Sequence, residues 1–170
     1  MHPTWHPEAS VVQINISKGG VPKTAIASGE VTRLGIAGDA HAHPNIHGGL
    51  QKAVLLIAAE EIEQLAEAGY PLYFGALGEN ITTRGLDRRT VRVGQRYRVG
   101  EVVLEITKVR APCETLSSYG PGIQKAVYDA RVKAGDASSP VWGVSGFYAA
   151  VVQPGTIRPG DPIQLLDQMV

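Results

Sequence analysis

Short apolar runs broken at glycine set the rhythm of this 170-residue chain. Residues 10–17 alternate in part between apolar and polar positions and stop at the Lys18-Gly19-Gly20 turn, which predicts a strand. Val21-Pro22-Lys23 opens a short extended piece toward Ile26, and residues 30–34 read as a further strand. Residues 53–57 are apolar throughout, as expected of a buried strand. Residues 78–84, 91–93, 96–99 and 101–109 are β-type runs, the last three separated at Gly94 and Gly100. Residues 141–152 and 162–166 complete the predicted strands.

Two segments follow a helical period instead. Residues 58–68 place Ile62, Leu65 and Ala66 on one face, with Glu60, Glu61, Glu63 and Glu67 on the solvated remainder, and Gly69 as the stop. Residues 121–134 read as one second helix, with Ile123, Val127, Ala130 and Ala134 along one side and Pro121 in the first turn. Residues 35–49 are rich in Gly, His and Pro, so a long ordered loop is expected there. Residues 1–9 read as an N-terminal arm ahead of a single domain spanning 10–170. Short strands, glycine turns and two modest helices predict a mainly β fold, a barrel or a folded sheet.

Composition narrows the function classes. The formal net charge is zero, so bulk electrostatics gives no reason to expect nucleic acid or an anionic membrane as partner. No apolar run is long enough to span a bilayer. The first residues lack the basic-then-apolar layout of a secretion signal, and the chain holds one cysteine, so a reducing cytoplasm is the expected location. Charge is nevertheless uneven: from Arg84 to Arg110 there are eight basic residues against three acids. That run is either a solvated strand face or a local site for a phosphate or small acidic ligand.

Four groups of residues have chemistry to offer. Asp39, His41, His43 and His47 invite a zinc reading, although neither H-E-x-x-H nor paired cysteines occur; loop histidines bonded to backbone are the alternative. His47-Gly48-Gly49, followed by Lys52, combines close backbone approach with a positive charge, yet it matches no nucleotide-binding loop. Gly78-Glu79-Asn80 heads a strand, and Asn80 offers both donor and acceptor; the plain reading is a turn. Cys113 follows a strand in the run Arg110-Ala111-Pro112-Cys113. A lone cysteine is commonly a small buried apolar residue, but one beside a guanidinium can be held as a thiolate that attacks an electrophile, carries a persulfide or binds a metal.

The order of these pieces resembles the MOSC family, named for the C-terminal domain of molybdenum cofactor sulfurases. The resemblance runs from about Val11 to Leu166 through Ser17-Lys18-Gly19-Gly20-Val21-Pro22-Lys23, Gly35-Ile36-Ala37-Gly38-Asp39-Ala40-His41, His47-Gly48-Gly49, Gly78-Glu79-Asn80-Ile81, Arg110-Ala111-Pro112-Cys113, Gly146-Phe147-Tyr148 and Pro159-Gly160-Asp161-Pro162. It implies a β-barrel-like domain with few helices that binds a pyranopterin molybdenum cofactor and reduces N-hydroxylated compounds. Cys113 would ligate molybdenum. Arg110, Asn80 and Lys52 would contact the cofactor, and His47 with the Gly48-Gly49 backbone would line the pocket. The implied partners are a small-molecule substrate and a separate electron donor, a flavoprotein or an iron–sulfur protein, because Cys113 alone cannot hold a cluster. A homodimer is left open as the assembly. The alternative function is a sulfur carrier: Cys113 would take a persulfide from a cysteine desulfurase, since the chain has no room for a pyridoxal-phosphate domain of its own.

Overall fold

The structure, a computed structural model, describes residues 8–40 and 49–166. Strands β1 (Ser10–Ile16), β2 (Thr24–Ile26), β5 (Val54–Ala58), β6 (Ile81–Arg84), β7 (Arg96–Val99), β8 (Val102–Val109), β9 (Phe147–Gln153) and β11 (Ile163–Leu165) form one sheet in the order β11-β7-β8-β9-β5-β6-β1-β2. Its neighbours are antiparallel except β5 and β6, which run parallel. The sheet curls until its β11 edge meets the start of β1. Ser10 bridges Pro162, Val11 N–H donates to Asp161 C=O at 2.9 Å, and Ile163 N–H donates to Ala9 C=O at 2.7 Å. A second sheet of β10 (Gly155–Ile157), β3 (Gly29–Thr32) and β4 (Gly35–Ile36) closes one side. The mainly β, barrel-like fold expected from the sequence is therefore present.

β5 shows why this layout has two cores. Its five residues are all buried, and alternation sends them to opposite faces. Val54 and Leu56 join the interior cluster with Ile14, Val31, Leu104, Phe147 and Ile157. Leu55 and Ile57 join an outer cluster with Ile62, Leu77, Leu116, Ile123 and Tyr148. The parallel β5–β6 pair requires a crossover, which helix α1 (Ala59–Glu67) supplies. Among the described residues, no helix is long and apolar enough to cross a membrane.

Several expectations change. The second helix is broken into α2 (Ile123–Val127) and α3 (Ala130–Lys133). Tyr128 is extended, at φ −157° and ψ 141°, and packs on both clusters. The Asp129 carboxylate accepts from Val132 N–H and Ser139 Oγ, each at 2.8 Å, so it caps a new helix start. Residues 91–93 form no strand, because Val91 C=O accepts from Trp142 Nε1 at 2.9 Å and Val93-Gly94 turn the chain. The strand expected over 141–152 begins only at Phe147; turns occupy the preceding residues. β10 was not expected.

The basic run also resolves differently from a single anion site. Arg84 pairs with Glu63, Arg88 with Glu61, Arg89 with Asp87 and Arg96 with Glu105. Arg92 stacks over Trp142 at 5.7 Å. The helix acids are therefore docked on the strand flank as well as solvated. Arg110 alone of the run is buried with guanidinium nitrogens that have no hydrogen-bond partner among the described residues.

Candidate functional site

The site is assembled where β8 ends and β9 begins. Val109 pairs with Phe147, the last register position between the two strands. One residue on, Arg110 N–H donates to Gly146 C=O at 2.9 Å, and Ser145 Oγ donates to Arg110 C=O at 2.6 Å. Gly146 has φ +102°, and a Cβ there would stand 2.7 Å from Leu56 C=O, so only glycine serves this crossing. These contacts fix the Arg110 backbone and leave its side chain to run inward.

Ala111 and Pro112 then carry the chain to Cys113, which caps a 3-10 turn over Glu114–Tyr119. Cys113 C=O accepts from Leu116 N–H at 3.2 Å and from Gln124 Nε2 at 3.0 Å. Leu116 is fully buried in the outer cluster, so the turn is anchored while the thiol stays half-buried. Cys113 Sγ lies 2.6 Å from Thr115 Oγ1. Burial pushes the thiol up, but the Thr115 hydroxyl, the Arg110 charge and the backbone N–H groups of Thr115 and Cys113 outweigh it. The thiol ends below its ordinary value.

Arg110 is only 3% exposed, and its Nε and Nη1 are buried with no hydrogen-bond partner among the described residues. Gly78 (φ +89°) brings the chain within reach of it: a Cβ on Gly78 would lie 3.8 Å from Arg110 Nη2 and 2.8 Å from Val21 Cγ1. Buried N–H groups with no acceptor are costly, and a charged one more so. An anionic ligand atom is the partner such a guanidinium suits.

Tyr148 of β9 stands between the cations. It is buried, Arg110 hydrogen-bonds to it, and the Lys52 ammonium sits 5.3 Å from its ring centroid. Burial raises the Tyr148 phenol, and the Cys113 side adds to this against the pull of Arg110. Lys52 ends a short 3-10 turn, Leu50–Lys52, that feeds β5; burial and the neighbouring Lys108 both lower its pKa. Tyr148 was visible in the sequence as part of a motif and carried no role there. Only the β8–β9 register brings it beside residues 110 and 113.

The other described candidates are engaged differently. Asn80 is buried and already bonded on both ends. Its Oδ1 accepts from Leu55 N–H at 3.0 Å, and its Nδ2 donates to Asn15 C=O at 3.3 Å and Asp39 Oδ2 at 2.9 Å. It builds the wall rather than offering free groups. Asp39 is engaged by the Lys23 ammonium at 2.5 Å, Ser17 N–H at 3.0 Å and Asn80, which leaves it no role in a zinc site. Among the described residues, no group of three or more His, Cys, Asp or Glu is placed to hold a metal ion. Gly49 is exposed, with open space where a Cβ would be. His41, His43, His47 and Gly48 lie outside the described residues.

The residue missed outright is Glu79. It is fully buried; Oε2 accepts from Gly75 N–H at 2.9 Å and Thr82 Oγ1 at 2.8 Å, while Oε1 has no partner among the described residues. A Gly-Glu-Asn turn gave no signal that its acid would be enclosed.

A curled β-sheet carries at one rim a half-buried thiol, a buried guanidinium with two nitrogens that have no hydrogen-bond partner among the described residues, and a flanking lysine. The sequence pattern of the MOSC domain matches residues 43–164, and the chain belongs to that family. It is 30% identical over 154 residues to YflK of Bacillus subtilis, an uncharacterized protein, covering 90% of this chain and 65% of YflK. It is 27% identical to YiiM of Escherichia coli over 146 residues, 82% of this chain and 59% of that one. A Gibberella moniliformis protein named Reductase is 29% identical over 142 residues, 79% of this chain and 23% of its own length. The chain thus spans less than two thirds of these curated relatives. The crystal structure of YiiM from Geobacillus stearothermophilus superposes with a TM-score of 0.70 at 28% identity, covering 94% of this chain and 76% of the other.

MOSC domains are associated with molybdenum cofactor binding. The residues present fit such a group. Cys113 offers a half-exposed thiol of lowered pKa to a metal, and Arg110 offers buried N–H groups that lack an acceptor among the described residues.

Proposed function

We propose that this MOSC protein binds a pyranopterin molybdenum cofactor and reduces N-hydroxylated compounds. The observation that carries this reading is the Arg110 guanidinium, buried with two nitrogens that have no hydrogen-bond partner among the described residues, its charge helping to hold the Cys113 thiol below its ordinary pKa. The name of the Gibberella relative supports reduction as the type of chemistry.

The bound group would supply two-electron redox chemistry at an N–O bond. The net change breaks that bond, takes up two electrons and two protons, and releases water with the reduced nitrogen compound. The electrons enter from a separate flavoprotein or iron–sulfur protein. The chain's own residues do the holding. Cys113 Sγ would be the metal ligand, and Thr115 Oγ1, 2.6 Å away, would orient it. Arg110 binds the anionic part of the cofactor, and Lys52 and Lys108 add positive charge at its edge. Tyr148 spaces Arg110 from Lys52, while Asn80 keeps the wall closed. His47 and the Gly48-Gly49 backbone are further proposed contacts.

Elemental analysis tests this on protein made in a cofactor-competent host. Wild type should carry about one molybdenum per chain, Cys113→Ala none, and Arg110→Met a reduced content. Molybdenum-free wild type that gains one sulfur atom at Cys113 on exposure to a cysteine desulfurase would replace this reading with the sulfur-carrier one.

A further inference from the structure

Glu79 and Arg110 share one unexplained property. Among the described residues, the buried side-chain atoms without a hydrogen-bond partner are Glu79 Oε1, Arg110 Nε and Arg110 Nη1. Both residues are essentially closed to solvent, at 0% and 3% exposure. Glu79 directly follows Gly78, where an added Cβ would lie 3.8 Å from Arg110 Nη2.

The hydrogen bonds also say which oxygen of Glu79 can hold a proton. Asn15 Nδ2 donates to Thr82 Oγ1 at 3.1 Å, so the Thr82 hydroxyl is free to donate onward to Glu79 Oε2. Gly75 N–H donates to the same oxygen. With two donors aimed at Oε2, a proton on this carboxyl resides on Oε1, the oxygen without a partner. Burial raises the pKa, against the pull of Gly75, Thr82, its own backbone N–H and Arg110.

We propose that Glu79 is a positioning residue that gates the anion site by its charge. Neutral at Oε1, it leaves the Arg110 charge and N–H groups to an incoming oxyanion. Ionised, it neutralises that guanidinium from within and weakens the oxyanion's hold. Binding of an anion at Arg110 is then coupled to proton uptake at Glu79 by linkage. This rests on the reading of Arg110 as an anion site and adds a residue to it.

Of the groups that face Glu79 itself, none titrates in its place. Arg110 faces it from the end of β8, and Tyr119 faces it from the turn after Cys113. Tyr119 is pushed up to about 12 by burial, with Tyr73 and Glu79 adding to it, and so stays neutral in the working range. β1 and β6 present only the uncharged Asn15 and Thr82. The Lys23–Asp39 pair, bonded to Asn80 on the next position, is balanced in charge. Cys113 also titrates near Arg110, so a Cys113→Ser background removes its contribution.

The test is calorimetric titration with sulfate, which keeps its charge from pH 5 to 9, on the full chain carrying Cys113→Ser. Affinity should fall with rising pH, approaching about tenfold per pH unit, the limit for one linked proton. The heat should vary with buffer ionisation enthalpy, reporting proton uptake. Adding Glu79→Gln should make affinity independent of pH and abolish proton uptake, and adding Arg110→Met should abolish binding. Adding Thr82→Val removes a donor to the carboxylate and should move the midpoint to higher pH, a readout available if the glutamine variant does not fold. Sulfate binding that is flat with pH, or a pH dependence that survives Glu79→Gln, overturns the role of Glu79 and leaves Arg110 standing. No sulfate binding at any pH, or binding that survives Arg110→Met, overturns the anion site and the gate together.

Discussion

At the residue scale, the groups that matter differ in how they are held. The Lys23–Asp39 pair is buried but satisfied, with Asp39 also accepting from Ser17 N–H and Asn80. Glu79 is buried and only half satisfied, so it should tax the fold as it ionises. Its pKa in the folded protein is raised above that in the unfolded chain, about 4.3. Between the two values the folded chain keeps the proton and the unfolded chain releases it. Stability is then full below the unfolded value and declines as pH rises through the folded one. Urea midpoints measured across pH should show this decline in wild type and lose it in Glu79→Gln. An identical slope in both proteins would assign the decline to another group. None of this was legible in the sequence, because an acid in a Gly-Glu-Asn turn reads as solvated. The lowered pKa of Cys113 was partly legible: its neighbour Arg110 was in plain view, whereas the Thr115 hydroxyl at 2.6 Å depends on the 3-10 turn.

At the element scale, local pattern and tertiary demand part company in the segment 121–134. Its apolar spacing fits one helix, yet Tyr128 is extended and Asp129 starts the chain again. Pattern analysis registers the side chains' period but not the backbone break, since an Asp inside a helical run and an Asp capping a new one look alike in sequence. The cap itself is testable. Asp129→Ala removes the acceptor for Val132 N–H and for Ser139 Oγ and should cost about 1–2 kcal/mol by chemical denaturation. A loss near zero would mean that packing of Tyr128, and not the cap, divides the helices. The same limit explains residues 91–93, whose strand-like composition is overruled when Trp142 takes the Val91 carbonyl. By contrast, β5 and β8 match their expected spans closely, because long apolar or alternating runs carry their own burial signal.

At the scale of the whole molecule, the curled sheet separates two apolar clusters, and the site belongs to the outer one. Tyr148, Leu55 and Leu116 all sit there, while Ile157 lies in the interior cluster with the small sheet. Leu116→Ala and Ile157→Ala each delete a fully buried side chain and should each cost about 2–5 kcal/mol. Only Leu116→Ala should also lower molybdenum content, since Leu116 anchors the turn that carries Cys113. Equal loss of metal in both variants would show that the site responds to global stability alone.

By itself the sequence determined the class of fold and the family, and it offered the two candidate residues on which the proposed site is built. Strand runs and glycine turns are local signals, and Arg110 and Cys113 lie three positions apart in one motif. Only the tertiary structure decided what surrounds them. The β8–β9 register brings Tyr148 to Arg110, the β5–β9 pairing brings Lys52 over Tyr148, Gly75 and Thr82 hold Glu79 in the interior, and Asn80 and Asp39 are used up inside the wall. Those outcomes depend on which distant segments meet. A side chain's charge state and free hydrogen-bonding groups follow from its neighbours in space, which a linear pattern does not specify.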